Sequence, residues 1–392
     1  MRILVDHSGY ELLNIGDIAM LQVCVSRLQN LWPNADIGVL TRSPERLEQY
    51  CPGAIAVAPD NRFSRRPERV STSGGPRSEP RRLLRTLRRA DIVVSSGGGF
   101  LNDTFWKHGA RVLTLMAIAQ RLGKPTAVFS QGIGPLTHPV LGRLVKLTMP
   151  RLQVIGLREG LSGVPLLKAR GVNQELIQVT GDDALLLATT MDRPRTGTAI
   201  GLNVRVAPYS EVDKGVANQV VTATSEAASR RGVTTLALPV SRYKDASDLD
   251  FIRTSSDGCE VNAAGHHSGD VRSPAELTER AARCRVVVTG SYHAAVFGLA
   301  AGVPAVCITN SRYYDLKFEG LGDLFPGGCH IVRPQPHFHR ELSGAIDRAW
   351  ETSESDRDQM HSAAQAQVAQ ADQIYARFKS LVAATLGPVN EL

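Results

Sequence analysis

The sequence holds six cysteines but no C-x-x-C pair and no zinc-type spacing of cysteine and histidine. That excludes a zinc ribbon and a dithiol redox centre. Aromatic residues are scarce, at 5%, too few for the stacking platforms that hold single-stranded nucleic acid. No apolar run approaches the length of a membrane-spanning helix. The opening residues, MRILVDHSGY, turn polar after a few apolar positions, so no secretory core is read there. A P-loop, a G-x-S-x-G elbow and a complete G-x-G-x-x-G fingerprint are all missing, which removes the commonest nucleotide-binding and hydrolase readings.

What is present fits a globular chain long enough, at 392 residues, for two domains. Cys24 and Cys307 lie in apolar runs, where a thiol behaves as a small hydrophobe, and the expectation is a soluble protein of the reducing cytoplasm. The formal charge of +7 is unevenly spread. Residues 61–91 carry ten arginines against three acids. The Ser/Pro/Gly-rich part, 61–79, reads as a mobile basic loop, and 80–90 as a helix with arginines on its wet face. Such a loop is either simply solvated or drawn to an anionic surface, which places peripheral contact with the inner face of a membrane among the expectations. Nothing in it resembles a nucleic-acid motif.

Short β-branched runs alternate with helical patterns along the whole chain. RILVD, DIGVLT, DIVVSS, PTAVFSQ and VIGLRE read as strands, with GDIAMLQVCVSRLQNLW as an amphipathic helix capped by Asp17. A polar, proline-broken stretch at 189–198 interrupts the pattern. It restarts with AIGLNV, TTLALPV, RVVVTG and PAVCI. This is an α/β protein of two Rossmann-like domains, 1–190 and 198–350, with parallel sheets facing a central cleft. A helix over 355–386 closes the chain.

Ligands of open parallel sheets sit beyond the carboxyl ends of the strands. After the first strand come Asn14, Gly16 and Asp17. After DIVVSS come Gly97, Gly98 and Gly99, a run that permits positive φ and close approach of a ligand to the backbone, with Asp103 at the next helix start. Arg158 and Arg205 follow two further strands. A lone arginine there is as readily a surface charge as a ligand, but two on cleft-facing strand ends favour an anion. His293 stands where VVVTG gives way to the small-residue helix AAVFGLAAG. It is either a core residue or part of a site at a helix start suited to anions. The crowded glycine and alanines leave little room for a ring inside, which favours the site. The histidines of HFH, 337–339, have alternate spacing but no third ligand, so neither metal nor cofactor is called for.

In order along the chain, NIGDIAML, VVSSGGGFLND, SQGIGPL, GLREGLS, VTGDDA, GLNVR, TGSYHAAVFGLAAGVPAV and YYDLKFEGLG resemble the polysaccharide pyruvyl transferase family. The resemblance runs from the first strand to about Leu324. It implies a GT-B-like fold and a transferase that moves the enolpyruvyl carbons of phosphoenolpyruvate onto sugar hydroxyls as a ketal. It also implies that His293 lies at the phosphoenolpyruvate site. Where many members carry an arginine two residues before this histidine, the present chain has Ser291.

The expected assignment therefore gives donor binding to Arg205, Ser291, Tyr292, Arg158 and Lys317, and catalysis to His293. Asn14, Asp17 and the three glycines would hold a saccharide acceptor, lipid-linked or free, with Asp103 orienting or deprotonating its hydroxyl. The alternatives are a nucleotide-sugar glycosyltransferase on the same architecture and a non-catalytic saccharide-binding protein of polysaccharide assembly.

Overall fold

The structure is a computed structural model. It describes residues 1–58, 79–191, 197–207, 209–244, 247–255 and 270–386. The expected basic loop therefore lies, but for its last residue, outside the described residues, as do residues 192–196 of the polar break.

The first half runs β1 (Arg2–Asp6), α1 (Ile15–Leu31), β2 (Asp36–Leu40), α2 (Pro44–Tyr50), β3 (Ile55–Val57), α3 (Glu79–Arg89), β4 (Ile92–Ser95) and β5 (Gly98–Leu101). It continues with α4 (Trp106–Arg121), β6 (Thr126–Ile133), α5 (Pro139–Thr148), β7 (Val154–Leu157), α6 (Gly163–Lys168), β8 (Ile177–Val179) and α7 (Leu185–Thr189). Its strands form one parallel sheet in the order β3-β2-β1-β4-β6-β7-β8, with β5 also pairing β6. The second half runs β9 (Ala199–Asn203), α8 (Lys214–Arg231), β10 (Thr235–Ala237), α9 (Asp248–Ser255), α10 (Pro274–Ala282), β11 (Cys284–Thr289) and α11 (Tyr292–Ala300). After these come β12 (Ala305–Ile308), α12 (Arg312–Leu324), β13 (Cys329–Val332), α13 (Phe338–Trp350) and α14 (Glu354–Leu386). Here the parallel order is β10-β9-β11-β12-β13.

The central strands are continuous apolar runs because both faces are covered, as parallel sheets require. On one face of the first sheet Leu4, Val93, Val128 and Ile155 pack under α3, α4, α5 and α6. On the other, Val5, Val94 and Phe129 meet α1 and the returning helix α14. That helix is tied down by Phe129 stacked on Tyr375 at 3.8 Å and by Arg27, which pairs with Asp183 at 2.6 Å and Asp372 at 2.9 Å. Helix α11 is apolar on every side and wholly buried, as such a composition demands. The strands β3, β8 and β13, of three or four residues, are too short for sequence periodicity to mark them.

The cap of α1 differs from expectation. The helix starts at Ile15, and Asn14, not Asp17, caps it, its Oδ1 accepting from the N–H groups of Gly16 at 3.0 Å and Asp17 at 3.2 Å. An aspartate inside the first turn contributes through the helix dipole instead.

Candidate active site

The two sheets meet where the starts of α1 and α11 converge. Backbone bonds lace the junction: Ile15 N–H donates to the Val240 carbonyl and Arg242 N–H to that of Leu13, each at 2.9 Å. Gly16 is required there, because a side chain would overlap the imidazole of His293. Across the same junction Tyr313 Oη donates to the Gly99 carbonyl at 2.8 Å.

Around this point three buried polar atoms lack hydrogen-bond partners: His293 Nε2, Asp182 Oδ2 and Arg158 Nε. His293 Nε2 lies 3.8 Å from Asp182 Oδ2, and Arg158 Nη1 lies 3.9 Å from the same oxygen. The other carboxylate oxygen of Asp182 is occupied by the Ala184 N–H at 2.9 Å. Burial raises the Asp182 carboxyl to about 7, with Arg158 opposing the rise. The His293 ring is held well below the usual histidine value by burial and then by the charges of Arg158, Lys317 and Arg205. The ring is therefore neutral at physiological pH, while Asp182 holds its proton far above the usual carboxylate range.

Arg158, at the end of β7, is 2% exposed and makes no hydrogen bond to any described residue through its guanidinium. Burial opposes its charge, but its neighbours Tyr292 and then Asp182 more than offset that. The guanidinium carbon stands 4.2 Å from the Tyr292 ring centre. Its other side faces two glycines: a β-carbon at Gly132 would lie 2.5 Å from Nε, and one at Gly99 2.8 Å from Nη2. Lys317 completes the group, 3.8 Å from the Tyr313 ring centre. Burial, followed by the charge of Arg158, pushes its ammonium well below the usual lysine value. Ser291 stands at the N-cap of α11 with an extended backbone and makes no capping bond, so the helix start offers N–H groups beside these cations. A small cavity here is lined by Gly99, Asn102, Gly132, Arg158, Tyr313 and Lys317. A roomier cavity of about 370 Å³ lies elsewhere, between α1, α2, α7 and α10, and holds no cluster of charged groups.

His293, Tyr292, Ser291, Arg158, Lys317, Asp17 and Gly99 are thus brought together. Asp17 accepts from Ser8 Oγ at 3.1 Å, and its carboxyl is raised by burial against the pull of that bond and of Lys317, Arg158 and Arg205.

Other expected residues serve the fold. Arg205 is not a free clamp: it pairs with Asp248 at 2.8 Å and donates to Tyr209 Oη at 2.5 and 3.1 Å. Asp248 in turn receives Asn203, Val240 N–H and Ser241 N–H, each at 2.9 Å, so this pair braces the junction. Asn14 spends its carbonyl oxygen on the α1 cap. A β-carbon at Gly97 would meet Met20 and the Ser130 carbonyl, and one at Gly98 the Phe100 ring; neither has positive φ, and both are packing glycines. Asp103 accepts from Thr137 N–H, Thr137 Oγ1 and His138 N–H at 2.7–2.9 Å, capping the approach to α5. Burial raises its carboxyl, but these bonds outweigh burial and hold it below the usual range, which makes it a poor base.

Sequence reasoning missed Asp182, Tyr313 and Gly132 as site residues. The T-G-D-D-A turn after a strand was the available signal for Asp182. Among the described residues no three metal-ligating side chains cluster, and His339 faces Glu226 at 3.2 Å instead.

The family model of polysaccharide pyruvyl transferase matches residues 14–312. No curated protein matches the sequence significantly. Among solved structures, a candidate UDP-N-acetylglucosamine 2-epimerase from Listeria monocytogenes is similar over 97% of this chain and 96% of its own, at 13% identity and TM-score 0.65. The UDP-GlcNAc 2-epimerase of Neisseria meningitidis, bound to UDP-GlcNAc, covers 96% and 99% at 11% identity and TM-score 0.58. The calicheamicin glycosyltransferase CalG4 covers 99% of each chain at 15% identity and TM-score 0.56. These likenesses show the GT-B fold.

Proposed function

The chain belongs to the polysaccharide pyruvyl transferase family, and from that premise we propose that it transfers a pyruvyl group from phosphoenolpyruvate onto two hydroxyls of a saccharide. The observation that carries this reading is Arg158, a buried guanidinium without a hydrogen-bonded acid, set against glycines beside an uncapped helix start. Phosphoenolpyruvate brings a phosphate and a carboxylate, which suit a guanidinium, an ammonium and a row of N–H groups. Arg158, supplied by the facing sheet, fills the place of the family arginine that Ser291 lacks.

The reaction needs a proton on the donor methylene, an electrophilic central carbon and departure of phosphate. One hydroxyl proton is balanced by the methyl group formed, and the other leaves with phosphate. His293 is the proton donor. Its proton is suppressed by burial and then by three cations; an anionic donor offsets the cations' share, so donor binding and protonation are coupled. Asp182, beside Nε2, relays protons to the ring. Asp17 faces the same cluster from α1 and holds an acceptor hydroxyl. The saccharide is a polysaccharide precursor, and the reaction is set at the cytoplasmic side of its assembly.

The test is incubation with phosphoenolpyruvate and candidate saccharides, following phosphate release and product mass. His293→Ala should lower turnover by about 10² to 10⁴ with little loss of thermal stability. Stabilisation by a UDP-sugar and none by phosphoenolpyruvate would refute the donor assignment in favour of a glycosyltransferase. Acceptor binding without turnover would refute catalysis.

A further inference from the structure

Two independent surface signals coincide on the outer face of the first sheet. Between Asp103 and Glu175 the chain carries ten cations, of which Arg111 and Arg158 are buried, and one acid, Glu159. Glu159 is 4% exposed and holds Ser162 through its N–H at 2.9 Å, so it offers no charge to that surface. The same segment holds four of the six exposed large apolar side chains among the described residues: Leu122 37%, Val140 45%, Leu147 39% and Leu161 51%. Exposure of scattered apolar groups needs no explanation, but their concentration where acids are absent does.

Helix α5 organises both signals. Val140 and Leu147 are seven residues apart, two turns, and share one stripe with Arg143 between them. Lys146 and Arg151 flank the stripe and are exposed. None of these three cations is in an ion pair with a described residue. The end of α4, where Leu122 lies, runs beside the end of α5, since Gln120 Nε2 donates to the Thr148 carbonyl at 3.0 Å. The inner side of α5 is fixed by Leu141 and Val145 in the core. Its start is fixed by Asp103, and the turn before it, Ile133 and Gly134, lines the cavity beside Arg158. The surface therefore runs from the back of the sheet to the lip of the cleft.

We infer that the exposed face of α5 with the end of α4 docks on an anionic lipid bilayer, the cations meeting headgroup phosphates and the leucine and valine side chains entering the interface. Apolar side chains interleaved with unpaired cations fit a bilayer interface better than a nucleic-acid backbone, which has no apolar layer for Leu147 and Val140 to enter. Such docking puts the cleft mouth at the membrane, within reach of a saccharide carried on lipid. It stands independently of the donor, because it is read without turnover.

The experiment is co-sedimentation of the full chain with phosphatidylcholine vesicles, with and without phosphatidylglycerol. Binding is expected only with phosphatidylglycerol and should weaken as salt rises. Arg143→Glu/Lys146→Glu/Arg151→Glu should lower the partition coefficient at least about 100-fold. Val140→Ser/Leu147→Ser, which keeps every charge, should lower it several-fold, and Lys379→Glu on α14 should leave it unchanged. Far-ultraviolet circular dichroism checks that each variant is folded. Absence of binding to phosphatidylglycerol vesicles, binding that survives the triple reversal, or preference for a DNA duplex at the same salt would each overturn the inference.

Discussion

The imidazole of His293 rests on the α-carbon of Gly16, so that a β-carbon added there would overlap ring atoms Cγ and Nδ1. Two helix starts from different sheets are thereby held in contact without a covalent link or a salt bridge between them.

Gly16→Ala should force the ring aside and lower turnover by about 10²-fold, the size of effect expected when a reacting group is misplaced by about 1 Å. Gly142→Ala is the control. It lies inside α5, where a β-carbon meets only Arg170 Nη2 at 3.9 Å, and should gain about 0.5–1 kcal/mol. Equal activity in the two variants would show that the contact is not needed.

Arg158 and Arg205 should separate in a paired measurement of melting temperature and donor-induced stabilisation. Arg205→Ala strands the buried Asp248 carboxylate and should cost about 3–5 kcal/mol of stability. Arg158→Ala leaves Asp182, which can take a proton instead, so the fold should survive while phosphoenolpyruvate no longer raises the melting temperature. The reverse pattern would transfer the donor site to Arg205.

Asp182→Asn tests a pH dependence with a definite sign. The carboxyl is raised in the fold to about 7, so the wild type binds its proton more tightly folded than unfolded. Its stability is therefore progressively lost as pH rises from the unfolded value towards 7. The difference in melting temperature, variant minus wild type, should grow between about pH 4 and 7 and level off above. A flat difference would mean that the carboxyl titrates normally. Turnover should fall and lose its alkaline limb near pH 7, where the wild-type carboxyl gives up the proton it relays, a change that simple loss of packing would not produce.

Asp103→Ala should cost about 0.5–2 kcal/mol, the range for a lost helix cap, while turnover per folded molecule stays as in the wild type. A fall in turnover beyond the loss of folded protein would restore Asp103 to the chemistry.

The alternation of β-branched runs and helical stripes was enough to read two parallel sheets, because burial on both faces leaves continuous apolar segments that only such sheets can use. It also singled out His293, since a titratable ring among alanines and glycines is costly unless a site needs it. Which arginine stays free was beyond it. Arg158 and Arg205 occupy equivalent strand ends, and only the path of the chain decides that Asp248, 43 residues on, hydrogen-bonds Arg205 while Asp182 stops 3.9 Å from Arg158. Likewise Asp103 and Asp182 are both turn aspartates in sequence. One faces the N–H groups of a helix start and is held ionised; the other is buried beside His293, 111 residues away, and keeps its proton to about pH 7. The strand ends follow from local pattern, but partners distant in sequence are chosen by topology, and the partner sets charge and proton affinity.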